Sequence, residues 1–189
     1  MKLVTWNCNL NLQSKFELIN NLSPDIAIIQ ECEKLEKDFF PNAQYFWVGR
    51  NDNKGLGVLI FNKTAKIADQ INDNLVYFLP IESDTLNILG VWAYNHRAFQ
   101  KFGGNTSGNT SDAINYYESW LSSKQRSLIA GDFNNSLIWD KGNKDNNFQN
   151  INKKLNQLNF LSSYHEKTSE EFGNETKATL FHTKNRDKK

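Results

Sequence analysis

The 189-residue sequence predicts an α/β fold built on mixed β-sheets. Three observations carry this expectation. An apolar strand pattern, a helical pattern and a second apolar run follow one another within the first 32 residues, the signature of a right-handed crossover joining parallel strands. Between residues 45 and 92, four short apolar runs are separated by turn residues with no helix between them, so antiparallel pairing is expected there. A helical stretch at Ala113–Ser122 then leads into another short run, Ser127–Ala130, closed by Gly131.

Taken in order, Lys2-Leu3-Val4-Thr5-Trp6 alternates as a strand and ends at Asn7-Cys8-Asn9. Phe16–Leu22 has helical spacing and is stopped by Ser23-Pro24-Asp25. Ile26–Ile29 is continuously apolar, as in a strand buried on both faces, and ends at Gln30-Glu31-Cys32. Parallel pairing of these two strands places Asn7 and Glu31 at one carboxyl edge, where open sheets bind ligands. Strands are next expected at Tyr45–Val48, Gly57–Phe61, Leu75–Leu79 and Leu86–Trp92. The glycines of Lys54-Gly55-Leu56-Gly57 read as a tight turn or bulge rather than a phosphate cradle.

Tyr94-Asn95-His96-Arg97 follows the last of these strands, and the loop Phe102–Ser111 lacks the Gly-Lys-Ser/Thr ending that holds nucleotide phosphates. Ser111 or Asp112 is expected to cap the helix Ala113–Ser122, whose Ile114, Tyr117 and Leu121 share a face. A second helix is expected near Phe148–Leu158, with Ile151, Leu155 and Leu158 inward. Leu161–His165 and Thr179–His182 read as two further strands. There are no internal repeats and no linker-like stretch, so residues 1–189 are expected to form a single domain.

Composition narrows the function classes. No apolar run reaches membrane-spanning length, and the N-terminus enters strand pattern without a signal-type segment, which predicts a soluble, cytoplasmic, non-secreted protein. The six Asn-x-Ser/Thr sequons then mark an asparagine-rich chain and nothing more. Cys8 and Cys32 each follow a candidate functional residue and are expected to be buried free thiols. Residues 1–140 carry 12 basic and 15 acidic groups and residues 141–189 carry 10 and 6, a weakly basic end compatible with a polyanionic partner.

The chemistry concentrates at Gly131-Asp132-Phe133-Asn134-Asn135. In an extended chain Asp132 and Asn134 point to the same side, although the same residues also suit an Asx-type turn. Together with Asn7 and Glu31 they form a hard, oxygen-only donor set, suited to Mg²⁺ or Mn²⁺ rather than zinc. Such an ion polarises a phosphoryl oxygen, Asp132 can accept a hydrogen bond from an attacking water, and Asn134 can hold that water or a phosphate oxygen.

At Thr5-Trp6-Asn7-Cys8-Asn9, Ile29-Gln30-Glu31, Gly131-Asp132-Phe133-Asn134 and Thr179-Leu180-Phe181, the sequence resembles the endonuclease/exonuclease/phosphatase superfamily of DNase I-like and exonuclease III-like phosphoesterases. The resemblance implies a four-layer sandwich of two mixed β-sheets flanked by helices, with the site at their shared edge. It implies Asn7 and Glu31 at the metal and Asp132 with Asn134 as the catalytic pair aligning the nucleophile. It also implies Trp92 and Asn95 at the substrate phosphate, although for Trp92 a core aromatic is the favoured reading.

The family continues beyond the Thr179-like strand to a Ser-Asp-His segment, and nothing after Phe181 matches it. The resemblance therefore implies a C-terminally incomplete domain with weakened or absent turnover. His96, His165 and His182 fall outside the pattern and are read as structural or surface residues. The implied function is a divalent-metal-dependent phosphodiesterase acting on nucleic acid. The alternatives are a phosphate- or partner-binding domain without turnover, and a phosphatase of small phosphoesters.

Overall fold

The alternating first strand and the second one, apolar through Ile26–Ile29, form a parallel pair. In the computed structural model, which describes residues 1–95, 107–142 and 144–177, β1 (Leu3–Asn7) runs beside β2 (Ile26–Cys32) in a register from Leu3 opposite Ile26 to Asn7 opposite Gln30. The crossover is α1 (Leu12–Asn20), which begins four residues before the expected start at Phe16. A distant carboxylate explains the early start. Glu33 accepts the N–H groups of Leu12 at 2.7 Å and Gln13 at 2.8 Å, satisfying donors that a helix start leaves orphaned. Burial pushes the Glu33 carboxyl up, but the Gln13 and Leu12 N–H groups outweigh it and hold it below the usual range.

β3 (Ala43–Asn51) and β4 (Lys54–Phe61) form a hairpin, and the sheet order is β1-β2-β4-β3, antiparallel beyond β2. The turn lies at Asp52-Asn53, so Gly55 and Gly57 are strand residues rather than turn formers. Their bare backbone seats aromatic rings: a Cβ at Gly57 would lie 2.7 Å from the Tyr45 ring and 2.9 Å from Cys32 Sγ, and one at Gly55 would strike the Trp47 ring.

The second sheet contains β5 (Ala65–Ile67), β6 (Phe78–Ser83), β7 (Asn87–Trp92) and β8 (Ser127–Asp132) in that order, with β7 and β8 parallel. The strand expected at Leu75–Leu79 is displaced. Asp73–Leu75 forms a 3₁₀ turn in which the Asn72 side chain accepts the Asn74 N–H at 2.9 Å, and pairing begins at Phe78. Local side-chain bonding won over the apolar pattern, and Leu75 and Tyr77 are buried without being in a strand. α2 (Thr110–Leu121) supplies the β7–β8 crossover. Its cap is Asn109, in a reciprocal box with Asp112, and not Ser111.

Ile28, Val58 and Ile60 of the first sheet share a core with Leu79, Ile81 and Ile88 of the second. On the outer face of the first sheet, Leu12 and Ile19 of α1 pack with Ala27, Ile29 and Leu59. On the second, α2 meets β7 and buries Ala113, Ile114, Tyr117 and Leu121. The result is a helix–sheet–sheet–helix sandwich of two mixed, four-stranded sheets, as expected.

The chain divides into two compact units at Asn134/Asn135. Both sheets belong to the first. In the second, the Asp140 carboxylate accepts the N–H groups of Phe148 at 2.7 Å and Gln149 at 2.9 Å and so caps α3 (Phe148–Gln157), where Ile151 is buried. The expected strand at Leu161–His165 is instead the start of a short helix, α4 (Ser163–Thr168). His165 bonds Ser162 Oγ, three residues earlier, at 2.7 Å, as a helical turn permits, and it also bonds Glu175 at 3.2 Å and stacks on Phe172. The expected strand Thr179–His182, and His96 with Arg97, lie outside the described residues. Among the described residues, no helix is long and apolar enough to cross a membrane.

Cys8 and Cys32 are free and buried, as expected. Burial pushes their thiols from 9.0 up to about 11 and about 12 respectively. Unfolding exposes thiols that ionise at lower pH than the folded ones, so this contribution to stability is intact below about pH 9 and is lost as pH rises toward the folded values. Urea midpoints measured from about pH 8 to 11 should therefore decline above about 9, and Cys8→Ala should flatten part of that decline.

Candidate functional site

Each candidate residue sits where a parallel strand ends. After Asn7 the Cys8 N–H still bonds Gln30 O at 3.0 Å, and the chain then reverses through three consecutive left-handed residues, Asn9 (φ 50°), Leu10 (φ 67°) and Asn11 (φ 59°). The reversal is tied down by Leu10 N–H on Glu31 O at 2.8 Å and by the Lys15 ammonium on the carbonyls of Cys8 at 2.7 Å and Leu10 at 2.8 Å. Asn7 Oδ1 accepts the Asn9 N–H at 3.1 Å, which orients its amide.

Glu31 occupies an irregularity in the β2–β4 ladder between Gln30 and Cys32, with φ at 58°. An extra residue of this kind re-aims a side chain at a strand end. The Glu31 carboxylate pairs with Lys54 Nζ at 2.8 Å, and Lys54 is the first residue of β4. The ammonium also lies 5.5 Å from the centroid of the Trp92 ring.

At the β8 end, Gly131 has φ 142° and a Cβ there would collide with the Val91 carbonyl. Asp132 pairs with Trp92, and its carbonyl accepts the Ala93 N–H at 2.8 Å. The chain then turns rather than staying extended. Asn134 is left-handed (φ 45°), its N–H bonds Asp132 Oδ1 at 3.0 Å, and its Nδ2 bonds Ala93 O at 2.9 Å. Of the two conformations open to this segment, the Asx-type turn is the one adopted.

Asn95 holds that turn in place. Its Nδ2 donates to Phe133 O at 2.9 Å and Asn134 O at 3.1 Å, while its Oδ1 accepts from the N–H and hydroxyl of Thr110, at 3.3 and 3.2 Å. One amide thus joins the loop to the first residue of α2. Trp92 is 3% exposed and packs against Tyr77 at 4.6 Å and Tyr94 at 5.9 Å between ring centroids. Its environment is that of a core aromatic.

The two sheets meet at the site. Asn7 Nδ2 donates to Asp132 Oδ2 at 3.5 Å, linking the end of β1 to the end of β8. Sequence reasoning missed Lys54, because its partner is 23 residues away and the adjoining glycines drew the interpretation. A lone lysine opening a strand was the only signal.

No family model matches the sequence, and no curated protein does. Solved structures do match. A 3′-5′ exonuclease, NExo, from Neisseria meningitidis aligns at a TM-score of 0.50 and 19% identity over 72% of this chain and 59% of that one. An AP endonuclease from Archaeoglobus fulgidus aligns at 0.54 and 10% identity over 84% and 69%. NExo described as a 3′ phosphatase bound to product DNA hairpin aligns at 0.55 and 16% identity over 84% and 71%. The fold is DNase I-like. These structures are members of the endonuclease/exonuclease/phosphatase superfamily, and at such identities what is shared with them is the DNase I-like fold. The chain spans 59% of the length of the exonuclease.

Two substitutions test the loop architecture. Gly131→Ala should cost about 2–4 kcal/mol in urea denaturation, because both φ and the Val91 carbonyl oppose a Cβ. Asn95→Ala should cost about 1–3 kcal/mol and speed amide exchange at Phe133 and Asn134, since it removes acceptor and donor at once.

Proposed function

We propose that this chain carries the site of a divalent-metal-dependent phosphodiesterase acting on nucleic acid, with Glu31 and Asn7 on the metal side and Asp132 and Asn134 on the water side. The observation that carries the reading is the meeting of two parallel strand ends from different sheets through the Asn7–Asp132 contact. Structures that share the fold support it: those matched are described as an exonuclease, an AP endonuclease and a 3′ phosphatase with a DNA hairpin.

Among the described residues no group of three or more His, Cys, Asp and Glu side chains is placed to hold a metal ion. The donor set fits a hard ion that keeps several waters, which one or two carboxylates suffice to hold. Glu31 supplies the carboxylate, and Asn7 Oδ1 retains a lone pair beyond the one used by Asn9. When bound, Mg²⁺ or Mn²⁺ supplies polarisation of a phosphoryl oxygen and offsets charge on the leaving oxygen.

The remaining work belongs to the chain. Each Asp132 oxygen takes one N–H, from Asn134 and from Asn7, so the carboxylate plane is fixed and acceptor capacity remains for the proton of an attacking water. Asn134 spends one amide hydrogen on Ala93 O and retains the other for that water or a phosphate oxygen. Asn95 acts through the loop and is a positioning residue. Trp92 contributes the aromatic surface beside Lys54.

The test is cleavage of labelled single-stranded, abasic-duplex and 3′-phosphorylated oligonucleotides with Mg²⁺. Asp132→Ala and Glu31→Ala should each reduce the rate about 10²–10⁴-fold. A rate indifferent to both substitutions would remove the assignment, and tight DNA binding without cleavage would favour a phosphate-binding domain lacking turnover.

A further inference from the structure

Glu31 already has a cation. Lys54 Nζ lies 2.8 Å from Glu31 Oε2, with the Glu31 side chain 21% and the Lys54 side chain 40% exposed. The pair is held from both ends. Leu10 N–H on Glu31 O fixes the strained backbone that carries the carboxylate, and pairing with Asn51 across the hairpin fixes the backbone of Lys54. The ammonium also has a second favourable surface within reach, the Trp92 ring 5.5 Å away on the other sheet. Cation–π attraction lowers the cost of leaving a carboxylate for such a face.

We propose that Lys54 is a tethered cation that competes with the divalent ion for Glu31, so that the site exchanges an internal ammonium for a metal and Lys54 sets the metal concentration at which it fills. This rests on the reading of Glu31 as a metal ligand. The ammonium satisfies a sheltered carboxylate when no ion is present, and its positive charge opposes the entry of one. Removing that charge strengthens metal binding, whereas replacing lysine with arginine keeps the competitor.

Titration calorimetry with Mn²⁺ alone tests this without reference to activity. Lys54→Met should bind Mn²⁺ about five- to tenfold tighter than the unsubstituted chain, the scale of one partly sheltered charge pair plus the repulsion it exerts on the ion. Lys54→Gln serves as a second neutral variant should the methionine form fold poorly. Lys54→Arg should stay within about twofold of the original affinity, and Glu31→Gln added to Lys54→Met should abolish the gain. Unchanged or weaker binding by both neutral variants would overturn the role of Lys54 and leave Glu31 as a metal ligand. A gain shared by Lys54→Arg, or one that survives Glu31→Gln, would also overturn it. No saturable binding by the original chain or either neutral variant would overturn both readings together.

Discussion

The sandwich depends on a place where one strand has no side chain. A Cβ at Gly90 of β7 would lie 2.9 Å from Val58 Cγ2 and 3.6 Å from Ile28 Cγ2. The methyl groups of the first sheet therefore rest directly on the backbone of the second. Gly90 pairs with Ala130, another small residue, so the close approach extends to β8. Two residues further along these strands come Trp92 and Asp132, where the Asn7 amide reaches across. Interiors are packed densely enough that a spacing set at one layer is transmitted to the next.

The two sheets share a plan. Each has a parallel pair at one side, β1 with β2 and β8 with β7, followed by antiparallel strands. Parallel pairing sends both strands of a pair toward the same edge, and the close approach puts those edges side by side. Backbone strain gathers at the same place: Asn9, Leu10, Asn11, Glu31, Gly131 and Asn134 all have positive φ. Elsewhere the ladders provide the rigidity that sustains such conformations.

Much of this was legible in the sequence because strand ends are marked by abrupt changes of chemistry. Ile26–Ile29 passes from wholly apolar to Gln30-Glu31, and Ser127–Ala130 to Gly131-Asp132, so both the parallel topology and the candidate residues could be placed. What stayed hidden was decided by local hydrogen bonds or by long-range pairing. Asn72 diverted an apolar run into a turn, and Asp132 captured the Asn134 N–H in preference to an extended chain. Leu161–His165 is too short for its apolar residues to distinguish strand from helix. The three-residue β5 left no periodicity to detect, and Lys54 became informative only once the hairpin placed it beside Glu31.

Asparagine, which the sequence presents only as an abundant polar residue, has a distinct place in the folded chain. Of the nine described residues other than glycine that adopt left-handed backbone, five are asparagines: Asn9, Asn11, Asn62, Asn134 and Asn159. Glycine would bend as easily, but it has more freedom to surrender on folding. Asparagine tolerates the same conformation with a smaller entropic loss, and each bend it makes also delivers an amide. At the end of β8 the left-handed Asn134 makes the reversal and its side chain also bonds Ala93 O, so that one residue supplies both the bend and a neutral hydrogen-bonding group beside Asp132.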